Sequence, residues 1–299
     1  GSDPVSGGDI ADLRLMEVSQ PVSPPIAAIV EAARARHGKA VTAVLFYGSC
    51  LRLDSDDGKI VDLYLLVDSY SAVYGKGLTA FLNWALPPNV FYLETPFEGR
   101  QVRAKYALIS LADFEAGASG RWFHPYLWAR FAQPCRLAFC RDAESQRRIV
   151  AALAGSARKV AAEGLALVRG DFTSRELWVS VFRHTYRAEL RAEPPERAAE
   201  IHDAEAQHYR RLAVALLPGL GARPAADEET WQAPAVAATG GTWWLRRLQG
   251  KLLSVARLVK AAFTFQDGPQ YLLWKIERHS GVSIEPTPWQ RRHPILAST

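Results

Sequence analysis

Apolar positions recur at helical spacing over residues 24–37, where Ile26, Ile29, Val30 and Ala33 share one face. Pro25 suits a first turn there, and Gly38 ends the run. Two β-rich apolar runs follow, 41–47 (VTAVLFY) and 60–67 (IVDLYLLV), separated by the polar, turn-rich CLRLDSDDGK. Residues 72–86 predict a helix ended by Pro87 and Pro88. Strands are expected at 89–94 and 102–109, joined by the turn-like PFEGR. A helical stretch over 111–133 then leads to a short strand at 135–140.

From Arg141 the periodicity becomes helical, with helices expected at 143–168, 174–191, 196–216 and 242–265 and a short one at 269–278. Residues 217–240, rich in Pro, Gly, Ala and acid, predict a flexible connector. The expected fold class is α/β. A mixed-sheet head covers 20–142, and an all-helical C-terminal domain covers 143–299 and ends in a basic amphipathic helix.

Composition excludes the special classes. With 299 residues, 48% apolar and 22% charged, the chain is neither disordered, collagenous nor a disulfide scaffold. A net charge of +5 points toward anionic partners such as nucleotides or phospholipid head groups, or else reflects Arg-rich solvation. Cys50, Cys135 and Cys140 form no CxxC pair, which suits a reducing compartment without a zinc site. No apolar run reaches the length of a bilayer span, and residues 1–8 do not read as a signal peptide. A cytoplasmic protein is expected, soluble or peripheral on the inner face of the cell membrane. The Ala- and Arg-rich composition suggests a bacterial one.

The chemistry concentrates in Phe46-Tyr47-Gly48-Ser49, a loop, and then Val61-Asp62-Leu63. An apolar strand ends in Gly-Ser, and the next strand carries a carboxylate. Burying a carboxylate in such a strand is costly unless it is paired or liganded, so Asp62 is either salt-bridged to an arginine or holds a metal. This arrangement resembles the nucleotidyltransferases of the polymerase-β superfamily. The chemistry needs these residue types. Magnesium on a rigid carboxylate offsets triphosphate charge, a glycine admits close backbone approach, and a serine adds a donor. The resemblance implies a second carboxylate two residues on, but Tyr64 stands there. Asp68 lies about 20 Å further along the strand, Asp54, Asp56 and Asp57 sit in the loop, and Glu94 could serve from a neighbouring strand.

Further motifs follow in order: Tyr70-Ser71, Val90-Phe91-Tyr92, Gly99-Arg100, Lys105-Tyr106-Ala107-Leu108-Ile109-Ser110, Ala129-Arg130-Phe131 with Gln133-Pro134, and Glu176-Leu177-Trp178 to Leu190-Arg191. Together with FYGS and the Asp62–Asp68 spacing, they resemble the mitochondrial translocator assembly and maintenance family of phosphatidate cytidylyltransferases, over roughly residues 41–215. Departures are Cys50-Leu51-Arg52 in place of Gly-Val-Phe, Ser69 in place of a histidine, a shorter stretch between Asp68 and Tyr70, and Glu94 at an Asn-like position.

The resemblance implies a polymerase-β-like head that transfers CMP from CTP to phosphatidic acid with Mg2+, giving CDP-diacylglycerol and pyrophosphate. It assigns Asp62 to the metal, and Tyr47, Gly48, Ser49 and Lys105 to the nucleotide; Glu94 as the second metal ligand is offered by its neighbouring strand and not by the resemblance. Lys105 and Arg130 would contact phosphates, although each could equally be an ordinary solvated charge. No nucleic-acid partner is expected. The same head would also serve another acceptor (protein, RNA or small molecule), or an inactive nucleotide- or lipid-binding homologue.

In the final helix, Leu245, Leu248, Leu252, Val255, Ala256, Val259 and Phe263 share one face, with Arg246, Arg247, Lys251, Arg257 and Lys260 opposite. Such a helix can lie on an anionic membrane surface through Arg246, Arg247 and Lys251. Alternatively it packs its apolar stripe on the body and solvates its basic face.

Overall fold

The computed structural model describes residues 7–53, 58–188, 194, 196–227, 229–235 and 243–264. Its elements run α1 (Gly7–Val18), α2 (Pro24–His37), β1 (Val41–Tyr47), α3 (Ser49–Leu53), β2 (Ile60–Val67), α4 (Tyr70–Tyr74), α5 (Leu78–Ala85), β3 (Asn89–Phe97) and β4 (Arg100–Ser110). Then follow α6 (Leu111–Ala118), α7 (Tyr126–Phe131), β5 (Cys135–Cys140), α8 (Ala143–Leu165), β6 (Asp171–Thr173), α9 (Ser174–Arg187), α10 (Glu196–Ala204) and α11 (Ala206–Leu216). Last come β7 (Arg223–Pro224), β8 (Thr230–Gln232) and α12 (Trp243–Thr264). The class is mixed α/β, as the hydrophobic pattern predicts.

The chain divides into two compact units. One joins Val22–Ser110 to the described residues from Ala256 onward; the other joins the residues up to Pro21 to Leu111–Val255. The division therefore falls at Ser110 rather than near residue 142. The reason lies in α7: Trp128 is fully buried among Val160, Trp178 and Phe182, and its carbonyl accepts a hydrogen bond from Ser156 of α8. Those contacts give α7 to the helical core.

In the first unit four strands run in the order β3-β4-β2-β1. β1 and β2 are antiparallel, β2 and β4 parallel, and β3 and β4 form a hairpin. The hairpin turns through Glu98 and Gly99, both at positive φ, which suits the twist of the flanking strands. α2 buries Ile26, Ile29, Val30 and Ala33, the predicted face. Residues 72–86 do not form one helix, because Gly75 and Gly77, at φ 71° and 153°, separate α4 from α5.

The second unit packs Trp128, Trp178, Phe182, Tyr209, Trp231 and Trp243 into one core. α8 is capped by Asp142, whose side chain accepts from Ser145 N, and α9 by a capping box of Thr173 and Glu176. α1, which the sequence pattern did not predict, buries Arg14; its guanidinium donates to the carbonyls of Phe131 and Ala132 at the end of α7. The expected connector over 217–240 is also corrected in its described part. β8 pairs with β6 and β7, and Trp231 is buried in the helical core.

Candidate functional site

Asp62 lies in the middle strands of the first unit's sheet. Its cross-strand partners are Tyr47 on β1 and Lys105 on β4, and Lys105 is in turn opposite Tyr92 on β3. Period-2 alternation puts these four side chains in one row across the sheet. Lys105 Nζ stands 3.5 Å from Asp62 Oδ1, with the two side chains 42% and 25% exposed. The other carboxylate oxygen faces the turn after β1. A Cβ added to Gly48 would lie 2.7 Å from Oδ2. Gly48 is at φ 87°, a conformation open to glycine, and from it Ser49 opens α3. The Tyr47 ring, beside this turn, contacts the Tyr64 ring at 5.4 Å between centroids. Thus Tyr47, Gly48, Ser49, Asp62 and Lys105, five of the residues singled out by the sequence, come together. The cation on Asp62 is a lysine, not the arginine weighed as its alternative partner.

The next row along the sheet holds Arg103 and Glu94, directly opposite each other. Arg103 Nε donates to Glu94 Oε1 at 3.2 Å, and the Tyr92 hydroxyl donates to the same oxygen at 2.5 Å. Burial, and then the Glu94 charge, raise the Tyr92 hydroxyl above its ordinary pKa. Sequence reasoning missed Arg103, though its spacing of two from Lys105 places it on the same face. Beside it is an open depression of about 620 Å³ lined by Gly58, Pro96, Gly99, Arg100, Gln101 and Arg103.

Magnesium is commonly held by one or two carboxylates plus substrate phosphates. Asp62 fits as one such carboxylate: it is partly exposed, on a rigid strand, beside a backbone turn with no side chain. Glu94 does not pair with it. Its oxygen is taken by Arg103 and Tyr92, and its position is two strands and one pleat away from Asp62. Among the described residues no group of three or more His, Cys, Asp or Glu could hold a metal. Asp54, Asp56 and Asp57 lie outside the described residues.

Arg130 belongs to the other unit, where its guanidinium lies 5.8 Å from the centroid of the Tyr126 ring. The basic tail needs correction. Arg246 is buried, not solvent-facing: it makes two hydrogen bonds to Glu163, at 2.6 and 2.9 Å, and one to the Phe123 carbonyl. Its guanidinium also lies 4.8 Å from the Phe123 ring centroid and 4.9 Å from that of Trp243. Gly250 fits this packing, since a Cβ there would meet the Ala188 carbonyl. Arg247 is half-buried and Lys251 exposed. Leu245, Leu248, Leu252, Val255 and Val259 of α12 are exposed, so the stripe does not pack inward as the alternative to membrane contact has it.

No helix among the described residues is long and apolar enough to cross a membrane. No protein-family model matches the chain, and no curated protein matches it. Among solved structures, the chain is similar to a nucleotidyltransferase-like protein from Exiguobacterium sibiricum 255-15. The two are 12% identical, with 92% of this chain and 89% of that chain covered and a TM-score of 0.27.

Proposed function

We propose that the chain is a nucleotidyltransferase, and that it transfers CMP from CTP to phosphatidic acid with release of pyrophosphate. The observation that carries the reading is the Asp62 carboxylate held between the bare backbone of Gly48 and the Lys105 ammonium. A nucleoside triphosphate needs this combination: a backbone it can approach, a cation for its phosphates, and a carboxylate for its metal. A phosphate monoester acceptor is already ionised, so no strong general base is required. Its oxygen forms a bond to the α-phosphorus as the bond to pyrophosphate breaks, and catalysis reduces to positioning and charge neutralisation.

In this reading Gly48 and Ser49 border the triphosphate, with Tyr47 beside them. Lys105 turns from Asp62 to a phosphate oxygen when nucleotide enters. Asp62 would hold magnesium, which would supply charge neutralisation. Arg130 is assigned to a phosphate by the family resemblance alone. Phosphatidic acid as acceptor would place the enzyme on the cytoplasmic face of a membrane. Incubation with each labelled nucleoside triphosphate, magnesium and phosphatidic acid tests the reading. Label from CTP should enter lipid, and Asp62→Asn should abolish it. Transfer to another acceptor, or from another base, would refute the substrate assignment and keep the class.

A second reading has its own support. Asp62 is ion-paired with Lys105, and Glu94 is engaged by Arg103 and Tyr92 instead. That suits a homologue that binds nucleotide without turnover. CTP binding by calorimetry with no product would establish it.

A further inference from the structure

We propose that the outward face of α5, with Val259 of α12, is a docking surface for an anionic lipid bilayer. The polarity of this surface is inverted. α5 reads LTAFLNWA, and its Leu78, Phe81 and Trp84 are 72%, 57% and 65% exposed. The one residue it buries is Asn83. Asn83 Oδ1 accepts from the Lys260 ammonium at 3.1 Å, and Lys260 also donates to the carbonyls of Leu86 and Pro88 at 2.6 and 3.0 Å. Arg257 donates to the Pro87 carbonyl at 3.2 Å. Lys260 is buried, while its neighbour Val259 is 55% exposed. At this contact the amide of Asn83 and the ammonium of Lys260 face inward, while Leu78, Phe81, Trp84 and Val259 face outward.

In water this arrangement runs against the usual one, because an amphipathic helix buries its apolar face. Leaving a large apolar side chain exposed forgoes the free energy of its burial. Three on one short helix, two of them aromatic and in contact at 5.9 Å between centroids, form a patch that calls for an apolar occupant. Charge selects the occupant. Between Asp68 and Glu94 the one charged residue is the exposed Lys76, just before α5, and no acid lies on α5. An anionic bilayer offers hydrocarbon to Leu78 and Phe81, its interfacial zone to Trp84, and phosphate to Lys76. The inference does not rest on the proposed reaction and replaces the Arg246-based contact that the structure corrects.

Flotation of the full chain with vesicles, without nucleotide, tests it. The wild type should float with phosphatidylcholine vesicles containing one third phosphatidylglycerol, and far less with phosphatidylcholine alone. Phe81→Glu with Trp84→Glu should lower the bound fraction about tenfold with an unchanged melting temperature. Met16→Glu, at an exposed apolar position in the other unit, should change nothing. Absence of wild-type flotation, or equal flotation of the double variant, overturns the proposal. So does a wild-type dimer in light scattering that fails to float and that the double variant dissociates, since a second copy then covers the patch. A melting temperature several degrees lower in the double variant, shared by Phe81→Ser with Trp84→Ser, also overturns it, because the chain then covers the patch itself. Since no nucleotide is present, failure of the transferase reading leaves each of these results intact.

Discussion

Gly48 and Asp62 are set so closely that no side chain can stand between them. A Cβ on Gly48 would lie 2.7 Å from Asp62 Oδ2 and 3.3 Å from Asp62 Cβ. The second contact matters more, because a carboxylate can rotate away while a Cβ is fixed to its strand. Gly48→Ala therefore displaces Asp62 or the turn, and must also hold alanine at φ 87°. The expected cost is about 1–3 kcal/mol in stability and about 100-fold in turnover, the scale of an ångström-level misplacement. Urea unfolding and CMP transfer, measured on one preparation, check both.

Asp62 and Lys105 form a partly exposed ion pair, and such pairs contribute about 0–1 kcal/mol. Their stability and activity effects should therefore separate. Asp62→Asn should leave the unfolding midpoint nearly unchanged while removing turnover. Lys105→Met should also leave stability intact and raise the KM for nucleotide about tenfold or more, equivalent to roughly 1.4 kcal/mol. The double variant gives the coupling. A coupling of several kcal/mol in unfolding would mean that the pair serves the fold and not a ligand.

The Asp62 row was legible because an acid within an aliphatic strand has few inexpensive explanations, and because strand alternation fixes who shares its face. Lys105 came from the motif resemblance; alternation along its strand would have added Arg103. The tail was not legible in this way. Periodicity over 245–263 shows that α12 has two faces but not which one turns inward. That is decided by Glu163, far back in the sequence, which offers Arg246 both carboxylate oxygens beneath the rings of Phe123 and Trp243. The break in α4–α5 was visible in Gly75-Lys76-Gly77 and was outweighed by the apolar residues after it. α1 escaped because its central inward position is Arg14, a residue that reads as surface until the carbonyls of α7 are in place.

Arg246 gives a prediction that separates structure from membrane contact. Burial raises the Glu163 pKa, but Arg246 and Lys159 outweigh it and hold the carboxylate below its ordinary range. Removing the guanidinium leaves that charge to Lys159 among its described partners. Arg246→Met should cost about 3–5 kcal/mol, as for a buried pair deprived of one partner. Glu163→Gln on the same background should recover part of the loss, because an uncharged amide needs less compensation. Lys251→Glu, exposed on the same helix, should change stability by less than about 0.5 kcal/mol. Denaturation midpoints at one pH order the three.

His37 supplies the acid limb of stability. The ring is half-buried behind the sheet, its Nε2 2.7 Å from the Tyr106 hydroxyl and its face near Phe91. Burial, and then the Arg36 charge, lower its pKa from 6.5 to about 4. In the unfolded chain the ring takes a proton near its ordinary value, so between pH 6.5 and 4 the unfolded state binds more protons than the folded one. Stability therefore rises with pH across that window and is lost as pH falls through it. Above pH 6.5 both states are neutral at this ring and it adds no slope. The partial exposure reduces the full linkage value, leaving an effect on the order of 1–2 kcal/mol. His37→Gln keeps a polar group near Tyr106 but cannot titrate. Its urea midpoint should therefore fall less than that of the wild type between pH 6.5 and 4.5, and the two curves should run parallel above pH 7. Parallel curves at every pH would show that the ring protonates in the fold as freely as in the open chain.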